Sequence, residues 1–381
     1  CAAGIVITAS HNPPNWNGFK FKPGYGGSAS PDIVSKLEDF ISEVEISQEI
    51  SSISIKQGLD IGLIEKINPE PSYMNHIAGM VNLKLIRDSG LNVVIDSMHG
   101  AGANYISKLL EGGSTKTFEI RSEINTDFPG MVQPEPIESN LTPLKDKIIE
   151  LNGDVGLATD GDADRLGIMD EEGTYISTLH TFALICNHLT RDLKMSGPIV
   201  KSITMTSMIE KLGEINKIPV INTPVGFKYL GPVMMEENAI VAGEESGGYG
   251  FKGHIPERDG ILSGLMILNM MALTEKNPSE LIIDLEEIVG PHHYSRIDTE
   301  FDPKNKVQII EKVSSTHPKS IAGIPVLKID DQDGYKFILQ DNYWGLIRFS
   351  GTEPLMRIYA EGKNAKMVTE ILSECQSYTR I

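Results

Sequence analysis

Thr8-Ala9-Ser10-His11-Asn12-Pro13 places a hydroxyl beside an imidazole in a tight turn, directly after a short apolar run. A serine hydroxyl attacks phosphorus only when a neighbour activates it, and His11 is such a neighbour. The same six residues also read as a polar turn closed by proline. Ser10 therefore needs support from elsewhere in the chain.

Asp160-Gly161-Asp162-Ala163-Asp164-Arg165 supplies it. Alternate side chains share a face in extended backbone, so aspartates at a spacing of two converge on one point. Crowded carboxylates raise each other's pKa unless a cation sits among them. A small set of hard oxygen ligands suits Mg²⁺, which takes its remaining oxygens from water and phosphate. A Ca²⁺ loop of the EF-hand type is the competing reading, because Asp160, Asp162, Asp164 and Glu171 fall at its positions one, three, five and twelve. Its required glycine is Arg165 here, and an apolar strand-like stretch, Leu166 to Met169, follows, so the Ca²⁺ reading fails.

Two further loops carry polar groups. Gly243-Glu244-Glu245-Ser246-Gly247-Gly248 offers carboxylates and a hydroxyl on a flexible turn, which suits sugar hydroxyls. Overlapping it, Gly248 to Gly253 spells G-x-G-x-x-G, but a dinucleotide fingerprint turns straight into a helix, whereas His254 to Arg258 intervenes. Arg348-Phe349-Ser350-Gly351-Thr352-Glu353-Pro354, with Arg357 beyond it, combines guanidinium groups, hydroxyls and a glycine amide into a phosphate cradle. A capped turn is its plain alternative.

Strands that end in these loops must position them. Gly4 to Thr8 reads as a strand, followed by a helix with Ser30 as N-cap, Pro31 at its first position and Ile33, Leu37, Ile41 and Val44 on one face. A second unit alternates strands at Leu91 to Asp96, Thr117 to Ile120 and Asp154 to Thr159 with helices, which predicts parallel βαβ packing. A third repeats that rhythm from Pro198 to Ala242 and ends in a long apolar helix after Asp259. From Arg296 the pattern changes to strands around a helix, a hairpin joining Tyr335–Gln340 to Gly345–Phe349, and a terminal helix from Asn364. Open α/β sheets bind ligands at the loops that follow their strands.

Composition narrows the ligand. At 381 residues the chain is too long for one ordinary core. Hydrophobic residues make up 40% without a run long enough for a membrane span. Three scattered cysteines argue against a disulfide framework and point to a reducing cytoplasm. A net charge of −18 excludes a broad basic footprint for nucleic acid, so any phosphate must be gripped by local cations. The chain begins at Cys1 and enters a core-type strand at once, which predicts a further N-terminal segment before it.

Together, and in this order, the four loops resemble those of the α-D-phosphohexomutases, the phosphoglucomutase and phosphomannomutase family. That resemblance spans the whole chain. It implies three related mixed α/β domains and a smaller C-terminal α+β domain around a central cleft, at residues 1–75, 76–178, 179–292 and 293–381. It implies a phosphoserine at Ser10, and Mg²⁺ held by Asp160, Asp162, Asp164 and an oxygen on Ser10. Lys20 matches the family's acid/base lysine, with His11 as the alternative. Glu244 and Ser246 would contact sugar hydroxyls, and Arg165, Lys201, Gly226, Lys228, His254 and Arg258 lie at positions near the substrate. Arg348, Ser350, Gly351, Thr352 and Arg357 would grip the non-reacting phosphate.

The implied reaction exchanges the 1- and 6-phosphates of glucose or mannose through a hexose 1,6-bisphosphate. Partners would be hexose phosphates, with neither nucleic acid nor membrane, and a homodimer is left open. Two positions depart from the family pattern: Gly248 stands where bifunctional mutases often carry histidine, and Phe349 where many relatives have proline. The sequence after Gly248 is closer to bacterial phosphoglucomutase-like members. A Mg²⁺-dependent sugar phosphatase, a phosphoglucosamine mutase and a non-catalytic sugar-phosphate binder are the rival readings.

Overall fold

The computed structural model describes residues 1–350 and 354–380. Its first unit is a hairpin of β1 (Ala3–Ile7) and β2 (Phe19–Pro23), followed by the helix Pro31–Ser47. Ser30 and Pro31 start that helix as their types predict. On its apolar face Ile33 and Leu37 are half-buried, and Ile41 and Val44 are exposed.

The second unit holds β3 (Asn92–Asp96), β4 (Lys116–Ile120), β5 (Val155–Thr159), β6 (Leu166–Met169) and β7 (Tyr175–Ile176), in the order β4-β3-β5-β6-β7. β3 runs parallel to both β4 and β5, and β6 turns back antiparallel to β5. β5 is buried along its whole length, as a strand covered on both faces should be. The third unit holds β8 (Ile199–Ser202), β9 (Val220–Thr223), β10 (Val241–Gly243) and β11 (Tyr249–Phe251), in the order β11-β10-β8-β9. It repeats the second unit: a first strand parallel to the next two, then an antiparallel fourth.

These two units share one hydrophobic core. The helix Gly260–Thr274 is apolar on all sides, buried from Gly260 to Ala272, and packs with Leu157 and Leu166 of the second unit. Asp259 caps it, accepting from the Leu262 amide at 2.8 Å. Among the described residues, no helix is long and apolar enough to cross a membrane.

The fourth unit is an antiparallel sheet of β12 (His293–Glu300), β13 (Ser320–Ile321), β14 (Ile324–Asp330), β15 (Tyr335–Leu339), β16 (Trp344–Phe349) and β17 (Leu355–Gly362), in the order β12-β17-β16-β15-β14-β13. The helices Lys306–Ser314 and Ala365–Ser377 close its core. The chain therefore has three α/β units and an antiparallel α+β unit. All four loops of interest occupy one kind of place, each joining a strand to its antiparallel successor: β1 to β2, β5 to β6, β10 to β11 and β16 to β17.

Candidate active site

The serine loop and the metal loop meet. Ser10 has a left-handed backbone (φ 53°), costly for a non-glycine residue, and Thr8 offsets that cost by accepting the Ser10 amide at 2.8 Å. The turn presents the Ser10 hydroxyl to Asp162 Oδ1 at 3.2 Å, while Thr8 donates to Asp162 Oδ2 at 3.1 Å. Lys20, across the hairpin, donates to the same Oδ2 at 3.1 Å and approaches Asp164 at 3.9 Å. His11 Nδ1 lies 3.4 Å from Ser10 Oγ. Burial and the nearby Arg165 charge push His11 down to about 4, so its imidazole is neutral at pH 7. Gly161 is what permits this approach, because a Cβ there would stand 2.5 Å from the Ser10 carbonyl oxygen.

Asp160, Asp162 and Asp164 each offer an oxygen within 4.8 Å of the others. Asp160 is fully buried, and burial together with Asp164 and Asp162 holds its carboxyl well above the usual range. Burial also raises Asp164 against the pull of Arg258. Asp162 is the exception: burial works to raise it, but Lys20 and Thr8 bring it below its ordinary value. Among the described residues, Asp160 Oδ2 and Asp164 Oδ1 are buried without a hydrogen-bond partner. Two orphaned carboxylate oxygens in a crowded acidic triad fit a divalent cation such as Mg²⁺.

Two arginines surround the triad. Arg165 pairs with Glu135 at 2.9 Å and faces Asp160 and Asp164 at 3.8 and 3.9 Å. Arg258 reaches Asp164 at 2.7 Å and Glu244 at 3.6 Å, joining the metal loop to the sugar loop. It does so by lying across Gly248, where a Cβ would be 2.1 Å from Arg258 Cδ. The bare glycine at that position is thus a steric condition for the Arg258 path. Glu244 is almost wholly buried and its carboxyl is raised by burial, with Arg258 opposing.

Beyond the sugar loop, Ser246 lines a cleft of about 450 Å³ together with Glu135, Tyr175 and Arg296. Tyr294 and Arg296 of β12 reach Glu245 at 2.7 and 3.4 Å, so the fourth unit borders the same cleft. In the β16–β17 register Arg348 stands directly opposite Arg357. Like charges facing across strands repel unless acids balance them. Asp333 takes Arg348 at 2.9 Å, and Asp298 on β12 lies 3.8 Å from Arg357 Nε, which has no hydrogen-bond partner among the described residues. Ser350 is buried beside them and donates its amide to Leu355 at 2.8 Å. Gly351 and Thr352, expected in the same grip, lie outside the described residues. Asp333 also accepts the Val225 amide at 2.9 Å, tying this unit to the turn that holds Gly226 (φ 123°) and the exposed Lys228.

Profiles of phosphoglucomutase/phosphomannomutase alpha/beta/alpha domains I, II and III match residues 1–48, 71–173 and 179–288, and the C-terminal domain of that family matches 300–375. A phosphoglucomutase/phosphomannomutase of Thermococcus kodakarensis is 31% identical over 369 residues, covering 97% of this chain and 76% of the relative. The chain belongs to the phosphoglucomutase/phosphomannomutase family. Its enzyme class is accordingly phosphohexomutase, an isomerase. A phosphoglucosamine mutase of Methanocaldococcus jannaschii is also 31% identical, over 97% of this chain and 79% of its own length. The crystal structure of a Thermus thermophilus protein assigned as a phosphomannomutase superposes with a TM-score of 0.82 at 30% identity, covering 99% of this chain and 78% of that one.

Two of the expected ligand residues have partners within the protein. Lys201 is fully buried, paired with Glu210 at 2.8 Å and donating to the Thr206 carbonyl at 2.8 Å. His254 shares a hydrogen bond with Asp259 at 3.0 Å and stacks on His76 with ring centroids 5.1 Å apart. Their types and positions were signals of charge, not of direction. Conversely, Glu135, Asp298, Asp333 and Glu257, which hold the site arginines and lysines, carried no motif. Only their contacts reveal them.

Proposed function

We propose that the chain interconverts the 1- and 6-phosphates of a hexose, glucose or mannose, by lending a phosphoryl group from Ser10 and recovering it through a hexose 1,6-bisphosphate. The observation that carries this reading is the presence of two separate anion grips: Ser10 with the acidic triad and its cations, and the cross-strand pair Arg348 and Arg357. A bisphosphate has two ends to hold, whereas a phosphatase needs one.

In this reading Asp160, Asp162 and Asp164 hold Mg²⁺ with a phosphate oxygen on Ser10. The cation, when bound, neutralises charge that develops on the transferring group. Lys20 and His11 flank the Ser10 oxygen and handle the substrate proton; the neutral His11 accepts and the Lys20 ammonium donates. Arg165 steadies the transferring phosphoryl group from the opposite side. Glu244 and Ser246 take sugar hydroxyls, Lys228 enters from the Gly226 turn, and Ser350 with Gly351 and Thr352 complete the second grip. The division at residues 75, 178 and 292 places one such loop in each domain.

Glucosamine phosphate is the second reading, favoured by the equal identity to the Methanocaldococcus phosphoglucosamine mutase. The test is conversion of glucose 1-phosphate to glucose 6-phosphate with Mg²⁺ and a trace of glucose 1,6-bisphosphate, while free phosphate is assayed in parallel. Isomerisation without phosphate release supports the mutase; stoichiometric release would show a phosphatase. Phosphate on Ser10 should appear by mass spectrometry, and Ser10→Ala should lose both label and turnover. Comparison of kcat/KM for glucose, mannose and glucosamine phosphates ranks the hexoses.

A further inference from the structure

The hairpin that carries Ser10 and Lys20 meets the metal loop through polar side chains. Its contacts to Asp162 through Thr8, Ser10 and Lys20 involve groups that must exchange partners whenever a phosphoryl group arrives or leaves. Something outside the reacting set has to hold the hairpin in register.

Lys22 and Ser28 both donate to Glu257 Oε2, Ser28 at 2.6 Å, and the Lys22 and Glu257 side chains are only 15% and 9% exposed. Lys22 is two residues from Lys20 on β2, so both point from the same face about 6.6 Å apart. Fixing the Lys22 ammonium therefore sets the direction of Lys20. Next to this pair the chain lies flush, since a Cβ on Gly27 would be 2.6 Å from the Pro256 carbonyl oxygen. On its other side Glu257 Oε1 accepts the Arg258 amide at 3.2 Å and faces Arg258 Nε at 3.6 Å, and Arg258 continues to Asp164. A line of charge thus runs Lys22–Glu257–Arg258–Asp164, from the serine hairpin to the metal loop. Burial works to raise the Glu257 carboxyl, but Arg258, Lys22 and Ser28 hold it below its ordinary value, so Glu257 is a carboxylate at neutral pH.

We infer that Glu257 is a positioning residue for phosphoryl transfer, holding the hairpin so that Ser10 and Lys20 stay aligned over the acidic triad. The inference rests on Ser10 being the phosphoryl carrier. Glu257 contacts Lys22, Ser28 and Arg258, and it acts on the hairpin through Lys22 and Ser28.

The test compares the full chain with Glu257→Gln, Lys22→Met and the double variant. The value of kcat should fall about 10- to 100-fold, the range for a misplacement near 1 Å, while KM for glucose 1-phosphate stays within about twofold in Lys22→Met, which lies on the side of Glu257 away from Arg258 and the sugar loop. The double variant should lose no more than the worse single variant, since both remove one contact. Hydrogen exchange should rise in residues 3–23 and stay unchanged in 155–169. If Glu257→Gln proves unfolded by its melt, Lys22→Met carries the same comparison from the outer side of the pair. Unchanged kcat in the folded variants, additive losses, or a rise confined to KM would overturn the inference. A wild-type chain with neither phosphate on Ser10 nor mutase turnover would instead overturn the phosphoserine reading, so the two failures are distinct.

Discussion

The metal loop and the serine loop face each other across one site but are held by different physics. Asp160 to Arg165 hangs between two buried strands, β5 and β6, over a core that the second and third units share through the helix Gly260–Thr274. The β1–β2 hairpin is held by hydrogen bonds and ion pairs: Thr8, Ser10 and Lys20 to Asp162, and Lys22 and Ser28 to Glu257. Apolar burial is non-directional, whereas charged contacts respond to every change of charge nearby. The carboxylates are thus crowded on an apolar base, and the groups that reach them from the hairpin are polar or charged.

The strongest way to break that contrast is to remove the atom where the halves meet. Asp162→Asn deletes a charge shared by Thr8, Lys20 and Ser10 and, in the proposed reading, by Mg²⁺, and kcat should fall roughly 10³-fold. In thermal melts the stabilisation that Mg²⁺ gives the wild type should shrink in the variant; an undiminished response would remove Asp162 from the metal set. Next in size is a stability comparison by denaturant unfolding. Leu157→Ala, in the shared core, should cost about 2–5 kcal/mol, whereas Ile41→Ser on the exposed helix face should stay within about 0.5 kcal/mol. Equal costs would mean that the helix face is covered in solution.

Gly161→Ala tests alignment without touching charge. The added methyl must displace either the Ser10 carbonyl at 2.5 Å or Pro134 Cγ at 3.0 Å, so kcat should drop about tenfold or more with a nearly unchanged melt. A lost melt with retained kcat would show that Gly161 serves the fold and not the alignment of Ser10.

The smallest effect concerns pH and lies at the junction of the third and fourth units. Burial, reinforced by Lys201, pushes Lys336 down to about 7 from an ordinary value of 10.5, while its ammonium donates to the Ile203 carbonyl at 2.6 Å and sits over Trp344. Between those two values the unfolded chain binds more protons at this position than the folded one, so this group makes stability rise with pH from 7 towards 10. Lys336→Met should therefore be more stable than wild type at pH 7, with the advantage shrinking as pH approaches 10. An advantage independent of pH would mean that Lys336 is protonated throughout.

Much of the local structure was legible. Helices start at Ser30-Pro31, Asp259 and Asn364 as predicted: Asp259 and Asn364 cap through their side chains, whereas Ser30 makes no side-chain capping bond and Pro31 sets the first turn. Strand runs such as Val155–Thr159 were visible from their unbroken apolar character. The Ile33–Val44 stripe was legible as one apolar side of a helix, because periodicity reports which side is apolar and is silent on what covers it. The acids paired with Lys201 and His254 were not legible, because the motifs do not include them.

By itself the sequence determined the chemistry within each loop: three alternating aspartates, a serine beside a histidine, two arginines around a glycine turn. Those depend on residue type and short spacing, which the linear chain contains. Tertiary structure alone decided that Asp162 meets Ser10 across 152 positions, that Arg348 and Arg357 face each other in register, and that Gly248 lets Arg258 pass to Asp164. It also decided that Glu257 secures the Ser10 hairpin. The physical reason is that a charge or a hydroxyl has no direction until folding supplies its neighbours, and here several of those neighbours, such as Asp162 for Ser10 and Asp164 for Arg258, come from another unit of the fold.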